Sequence, residues 1–364
     1  MRYSLLSQFQ GVLVGAAIGE LVGTSWEAQS APASQPDAAT PPQPLINPDR
    51  WLQLLTTERL GERSSTAGRG GRVAFLGAQS LGQRGELDLA TWQQHLHSTS
   101  QCVPNLDGWE TPEMAIATLP IALFFHEDET KLFQRLQQIC QLVNSQSSSV
   151  LASFMVGWTI AQALRHQFQP QQLIPQLIAA ITRLDTAFTS PMIDLDLTAG
   201  AMQQLAQVQA WLEQPASLEV VRSQLSQFSQ PLQSAAMPQE LKQLQPILAA
   251  LYCCLATPDD WRLAVLRAVQ MKISPSSVAA LTGAIAGAVN SLTRIPVMWR
   301  LALDRPNGPS KPRLLWQGVE SEAELLELAS DLLASWSGTY DTRKFPVKRH
   351  QIPAIAAPRV IRPR

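Results

Sequence analysis

The chain has 364 residues and a mass of 39.9 kDa, and 45% of its residues are hydrophobic. Only 16% are charged, against roughly 25% in an average globular domain, and 28 Lys and Arg against 29 Asp and Glu leave a formal charge of −1, which argues against a general nucleic-acid binder. The four cysteines, Cys102, Cys140, Cys253 and Cys254, form no C-x-x-C, so neither a disulfide-built scaffold nor a zinc knuckle is expected.

The N-terminal stretch from Ser4 to Gly19 carries no charge. Ser4, Ser7, Gln8 and Gln10 interrupt the apolar block that a signal peptide needs, so a buried core helix is expected, with a cytoplasmic location by default. Residues 28–50 hold six prolines, which cannot donate to a helix ladder and predict a surface insert or loop. The glycine-rich stretch Gly61 to Gly85 follows, with a helix expected over its second half, Val73 to Leu81. Apolar residues recur at spacings of three and four at Leu132, Leu136, Ile139, Leu142 and Val143, and again at Leu173, Leu177, Ile178 and Ile181; both runs predict amphipathic helices. Between them Val150 to Leu164 is densely apolar but short of the ~20 residues of a membrane span. Near the C-terminus Ser321-x-x-Glu324 is a capping-box pattern ahead of Leu325, Leu328, Leu332 and Trp336. No strand–helix alternation is visible, and an all-α domain over residues 1–341 is the reading. Residues 342–364 differ: Arg343, Lys344, Lys348, Arg349, Arg359, Arg362 and Arg364 are balanced by no acid, which leaves 21 basic against 29 acidic residues in the body. Such a tail folds back on the body, reaches for an anionic partner, or is simply solvated.

Two segments are rich in small residues. Gly11, Gly15, Gly19 and Gly23 fall at every fourth position, so in a helix they form one stripe without side chains. Each glycine costs ~1 kcal/mol of helix propensity, which close packing has to offset. The complementary segment is Val278 to Val289, where Ala279, Gly283 and Gly287 line one ridge. Two helices far apart in sequence are thereby expected to cross at the centre of the fold.

These segments carry a resemblance. Phe9 to Gly23 resembles the N-terminal F-x-G-x-L-x-G-x-A-x-G-D-A-L-G motif of the ADP-ribosylglycohydrolases. Ala279 to Ala288, followed by Ile295-Pro296-x-x-Trp299, is similar to that family's A-A-I-A-G-A-L-A-G-A segment. Ala74 to Gly85 and the stretch ending at Leu119-Pro120 are weaker matches. The resemblance implies a compact, orthogonal all-α domain. It also implies two divalent cations, magnesium or manganese, serving hydrolysis of the bond between ADP-ribose and an acceptor side chain. Hard cations need hard oxygen ligands, and the family supplies them from T-D-D-T and G-G-D-T-D-T.

Carried over by position, T-D-D-T falls on Gly68-Arg69-Gly70-Gly71 and G-G-D-T-D-T on Lys272 to Ser277. Four expected carboxylates are therefore Arg69, Gly70, Ser274 and Ser276, with Ser277 beside them, and the N-terminal acid is Glu20. Positions 64–73 and 261–303 contain no Asp or Glu, so no shift of register restores either motif. The expectation is a catalytically inactive family member, without metal or catalytic residues, that acts as a binding or assembly factor for a protein partner. Two alternatives stand beside it. One is an active ADP-ribosyl hydrolase, with magnesium or manganese bound by other ligands. The other is a metal-free module for ADP-ribose or a nucleotide, in which Arg69, Gly70, Gly71 and Arg72 form an anion-binding loop.

Other polar groupings read more plainly. Asp194-x-Asp196 suggests a helix cap, His95-x-His97 two exposed residues beside Trp92, Glu58 and Glu62 one face of a surface helix, and Glu127 to Glu129 an acidic loop.

Overall fold

A computed structural model describes residues 3–30, 68–101, 109–142, 146–187, 195–214, 216–227, 239–304, 316, 319 and 321–338. Most of the Pro-rich insert, Glu58, Glu62, Asp194 and the basic tail lie outside them. Among the described residues the secondary structure is helical, with no strand. The helices that build the site and its frame are α1 (Leu5–Ser30), α2 (Arg69–Arg84), α3 (Leu89–Gln101), α4 (Thr111–Ala117), α5 (Leu119–Phe124), α6 (Glu129–Leu142) and α7 (Ser147–Leu164). After α8 (Leu173–Ala187), α9 (Leu195–Glu213) and α10 (Leu218–Gln227), the chain returns through α11 (Gln239–Lys242), α12 (Gln245–Ala256), α13 (Trp261–Gln270) and α14 (Pro275–Asn290). It ends with α15 (Val297–Arg300) and α16 (Glu322–Trp336).

The centre is the antiparallel pair α1 and α14. A Cβ placed on Gly11, Gly15, Gly19 or Gly23 would come within 2.1–2.4 Å of the carbonyl oxygen of Gly287, Gly283, Ala279 or Pro275 respectively. The reverse holds too, since a Cβ on Gly283 would meet the Gly15 oxygen at 2.1 Å. Backbone rests on backbone along four turns, which is how the propensity cost of the glycines is offset. Trp261 of α13 braces the pair by donating its indole N–H to the Gly283 oxygen at 2.9 Å, and packs edge-to-face on Trp299 of α15.

The other helices wrap this pair. Helix α7 is apolar all round and buried along nearly its whole length, so it is a central helix. Both α1, from Leu5 to Glu27, and α7 are long and apolar enough to cross a membrane, but 78% and 94% of those stretches lie buried inside the protein. Helix α16 is capped by Ser321, whose hydroxyl accepts from the Glu324 N–H at 3.4 Å, and it packs on α2 and α1. Helix α2 begins at Arg69, one turn before the expected Val73. Its packing explains the extension: Gly77 admits the Trp92 indole, and Gly71 admits that of Trp316, where a Cβ would meet the rings at 2.3 Å.

Candidate functional site

The antiparallel register of α1 and α14 brings the C-terminal half of α1 beside the N-terminus of α14. The N-termini of α2 and α4 arrive at the same place. Together they enclose a pocket of about 150 Å³. Glu20 and Glu27 line it from α1, Gly68 and Gly70 from the start of α2, Glu110 and Glu113 from the start of α4, and Ser274, Ser276 and Ser277 from the start of α14. The two motif segments that align with the family's ligands thus do meet in space, with Glu20 between them.

Each acid in this pocket is held by the protein itself. Glu20 is 4% exposed, and its Oε1 accepts the Gly68 N–H at 2.8 Å, closing the N-terminus of α2. Burial pushes its carboxyl up to about 7, against the pull of the Gly68 N–H and of Trp316; Glu113 and Glu27 push the same way as burial. Glu27 Oε1 accepts from both the backbone N–H and the hydroxyl of Ser276, at 2.8 and 2.9 Å, and so caps α14. The carboxylate here complements the positive end of the helix dipole.

Arg69 opens α2 and turns inward. Its guanidinium lies 3.2 Å from Glu113 Oε2, with both side chains at most a tenth exposed, and stacks 4.4 Å above the Trp109 ring. Glu113 is likewise pushed up to about 7, chiefly by burial, with Arg69 pulling it down and Glu110 pushing it up. Glu110 and Glu113 form a reciprocal capping box at the start of α4, with Pro112 in the first turn. The next residue, Thr111, bonds Gln243 Oε1 at 2.7 Å, and Ser148 bonds the same oxygen at 2.9 Å. That network ties the start of α4 to the start of α7.

The Gly68–Arg72 segment is therefore a buried helix start. Arg69 faces Glu113, Gly70 lines the pocket, Gly71 lies under Trp316, and Arg72 is half-buried on α2 away from the pocket lining. Of the other groupings, His97 is exposed and His95 half-buried, Asp196 lies in the first turn of α9, and Asp128 and Glu129 open α6. Sequence reasoning missed Glu27, Glu110 and Glu113. The signals were present: Glu27 is two turns beyond Glu20 on the same face of α1, and Glu-x-Pro-Glu is a helix-start pattern.

A pair of divalent cations would need about six oxygens each, most of them anionic and free to converge. Here Gly68, Ser276, Arg69 and the capping box already engage the four carboxyl groups, and a buried guanidinium lies among them. Among the described residues no three His, Cys, Asp or Glu are grouped to hold one ion. These residues do not fit a binuclear metal centre.

Among solved structures the fold is similar to an "ADP-ribosylglycohydrolase-related protein complex", with a TM-score of 0.50 and 16% sequence identity over 90% of this chain and 99% of that one. At that identity the likeness concerns the fold alone. Among curated proteins none matches this chain in sequence. The sequence profile that does match describes the ADP-ribosylglycohydrolases, and it extends over residues 1–342; the chain belongs to that family.

Proposed function

We propose that this family member does not carry out metal-dependent hydrolysis of ADP-ribosyl bonds and serves as a binding or assembly factor. The single observation behind this reading is Arg69. Its guanidinium stands at a position where the family's T-D-D-T motif has an acid, and it is buried against Glu113. A fixed cation there repels a dication, and low-dielectric surroundings strengthen the repulsion. Glu20 and Glu27 support the same reading, because each is committed to a helix N-terminus that would otherwise be left uncapped.

The test combines calorimetry with manganese and magnesium and an assay for release of ADP-ribose from ADP-ribosylated arginine. Neither stoichiometric metal binding nor chelator-sensitive release is expected, and the appearance of both overturns the reading. The basic tail belongs to the same proposal as the means of recruiting an anionic partner. Neutralising Arg343, Lys344, Lys348 and Arg349 should weaken capture of that partner at low salt, where electrostatic attraction is strongest. Unchanged capture refutes this role for the tail.

A further inference from the structure

Apolar side chains exposed singly need no account, but a cluster of them does. Seven large apolar residues are exposed among the described residues, and three of them, Val297, Met298 and Leu301, share the single turn of α15, at 62%, 62% and 49% exposure. Spacings of one, three and four set them on one side of that turn, which the Leu301 N–H closes on the Val297 oxygen at 2.9 Å. Ile295, Trp299, Ala302 and Leu303 face inward, and Trp299 packs edge-to-face on Trp261. The buried inner face thus holds the outer one in place, and the outer face plays no part in the core.

The charges at its two ends have opposite sign. From Arg294 to Asp304 the exposed residues are Arg294, Val297, Met298, Leu301 and Asp304. Asp304 follows Leu301 by one tight turn, its N–H bonding the Leu301 oxygen at 3.3 Å. Both end charges are anchored from the side: Arg294 donates its Nε–H to the Tyr3 hydroxyl at 3.2 Å, and Asp304 Oδ1 accepts the Glu322 N–H at 2.7 Å. Arg300 turns aside to pair with Glu322. The start of α13 adjoins this turn, with Arg262 over the Trp299 ring, and exposes Leu263 together with Asp259 and Asp260. A rim of both signs does not match the single sign of an anionic lipid surface. It does match itself, because a twofold axis across α15 reverses the order of the strip. Arg294 of one copy then meets Asp304 of the other, Val297 meets Leu301, and each contact occurs twice. We infer that this face joins two copies of the chain, antiparallel across α15, with Met298 close to the axis. A stable interface takes roughly 20–30 residues a side and this face offers far fewer, so the dimer is weak and reversible. The inference does not depend on the pocket being metal-free.

Sedimentation equilibrium of the full chain from ~5 to ~500 µM should show a monomer–dimer equilibrium with a Kd on the order of 100 µM. Met298→Glu would set two like charges beside the axis and should weaken association about tenfold or more. Arg294→Asp should weaken it as well, and adding Asp304→Arg should restore it, a rescue that a folding defect would not give. Should Asp304→Arg unfold the chain, Asp304→Asn keeps an oxygen for the Glu322 N–H and should weaken the dimer in the same direction. A monomer at every concentration overturns the inference, as does a dimer indifferent to Met298→Glu or a double variant without rescue. A dimer that disappears on removal of residues 342–364 but survives Met298→Glu assigns association to the tail and overturns it too. Cosedimentation with phosphatidylserine vesicles that Met298→Glu abolishes, without any dimer, would overturn it in favour of a lipid surface.

Discussion

Glu20 has two roles that pull in opposite directions. Its Oε1 caps α2 through the Gly68 N–H, while burial holds its carboxyl up at about 7 against an ordinary value of 4.5. A carboxyl whose folded value is raised binds its proton more tightly in the native state. Its contribution to stability is therefore fully present below pH 4.5 and is lost as the pH rises through about 7. Each unit is worth about 1.4 kcal/mol, so the loss is on the order of 3 kcal/mol. Glu20→Gln keeps an oxygen for Gly68 and removes the charge, so the variant should be the more stable protein above neutrality and about equal near pH ~4. Thermal denaturation across that range checks it. Arg69 is the other decisive residue. Arg69→Ala would leave Glu113 buried without its counter-ion and should cost about 3 kcal/mol or more, read as a lower denaturant midpoint. The sequence made Arg69 conspicuous because an acid was expected there. It could not show the pairing with Glu113, which lies 44 positions away in a segment read only as a weak family match.

At the scale of helices, the glycine stripe makes a sharper prediction, because glycines differ in what surrounds them. Gly19→Ala would drive a methyl to 2.1 Å from the Ala279 oxygen. Backbone cannot move aside as a side-chain tip can, so a loss of about 3 kcal/mol or failure to fold is expected. Gly82 of α2 has nothing nearer than 3.5 Å to such a methyl. There Gly82→Ala should be neutral or stabilising by up to ~1 kcal/mol, through helix propensity. Urea unfolding of the two variants measures the contrast. The α1–α14 crossing was legible because a period of four without side chains admits few other uses. The start of α2 was less legible: Gly68 to Gly71 has the composition of a loop, and the need for glycine inside a helix comes from distant groups, the Glu113 carbonyl against Gly70 and the indole of Trp316 against Gly71.

For the whole molecule, the sequence pointed to the all-helical class and the family through spacing and motif. The pocket was harder to foresee. Reading the two motif segments for acids addressed those segments alone and not the cavity, where Glu27, Glu110 and Glu113 enter from α1 and α4. Local spacing carries no information about charges that meet only after the chain has closed on itself. The metal-free reading has a global consequence as well. A ligand that binds only the folded state raises its stability in proportion to the logarithm of its concentration over its Kd. Manganese at millimolar concentration should therefore leave the melting temperature unchanged within ~1 °C, and a chelator should not lower it.

At the tightest contacts of the α1–α14 seam each glycine meets a backbone carbonyl, so a substitution there has no side chain in its way whose change can make room for it. The register of the seam is consequently fixed, and it holds the mouth of α14 against Glu20 and Glu27 whatever those mouths contain. In a frame of this kind the lining is free to exchange one chemistry for another over time while its address in the molecule stays the same.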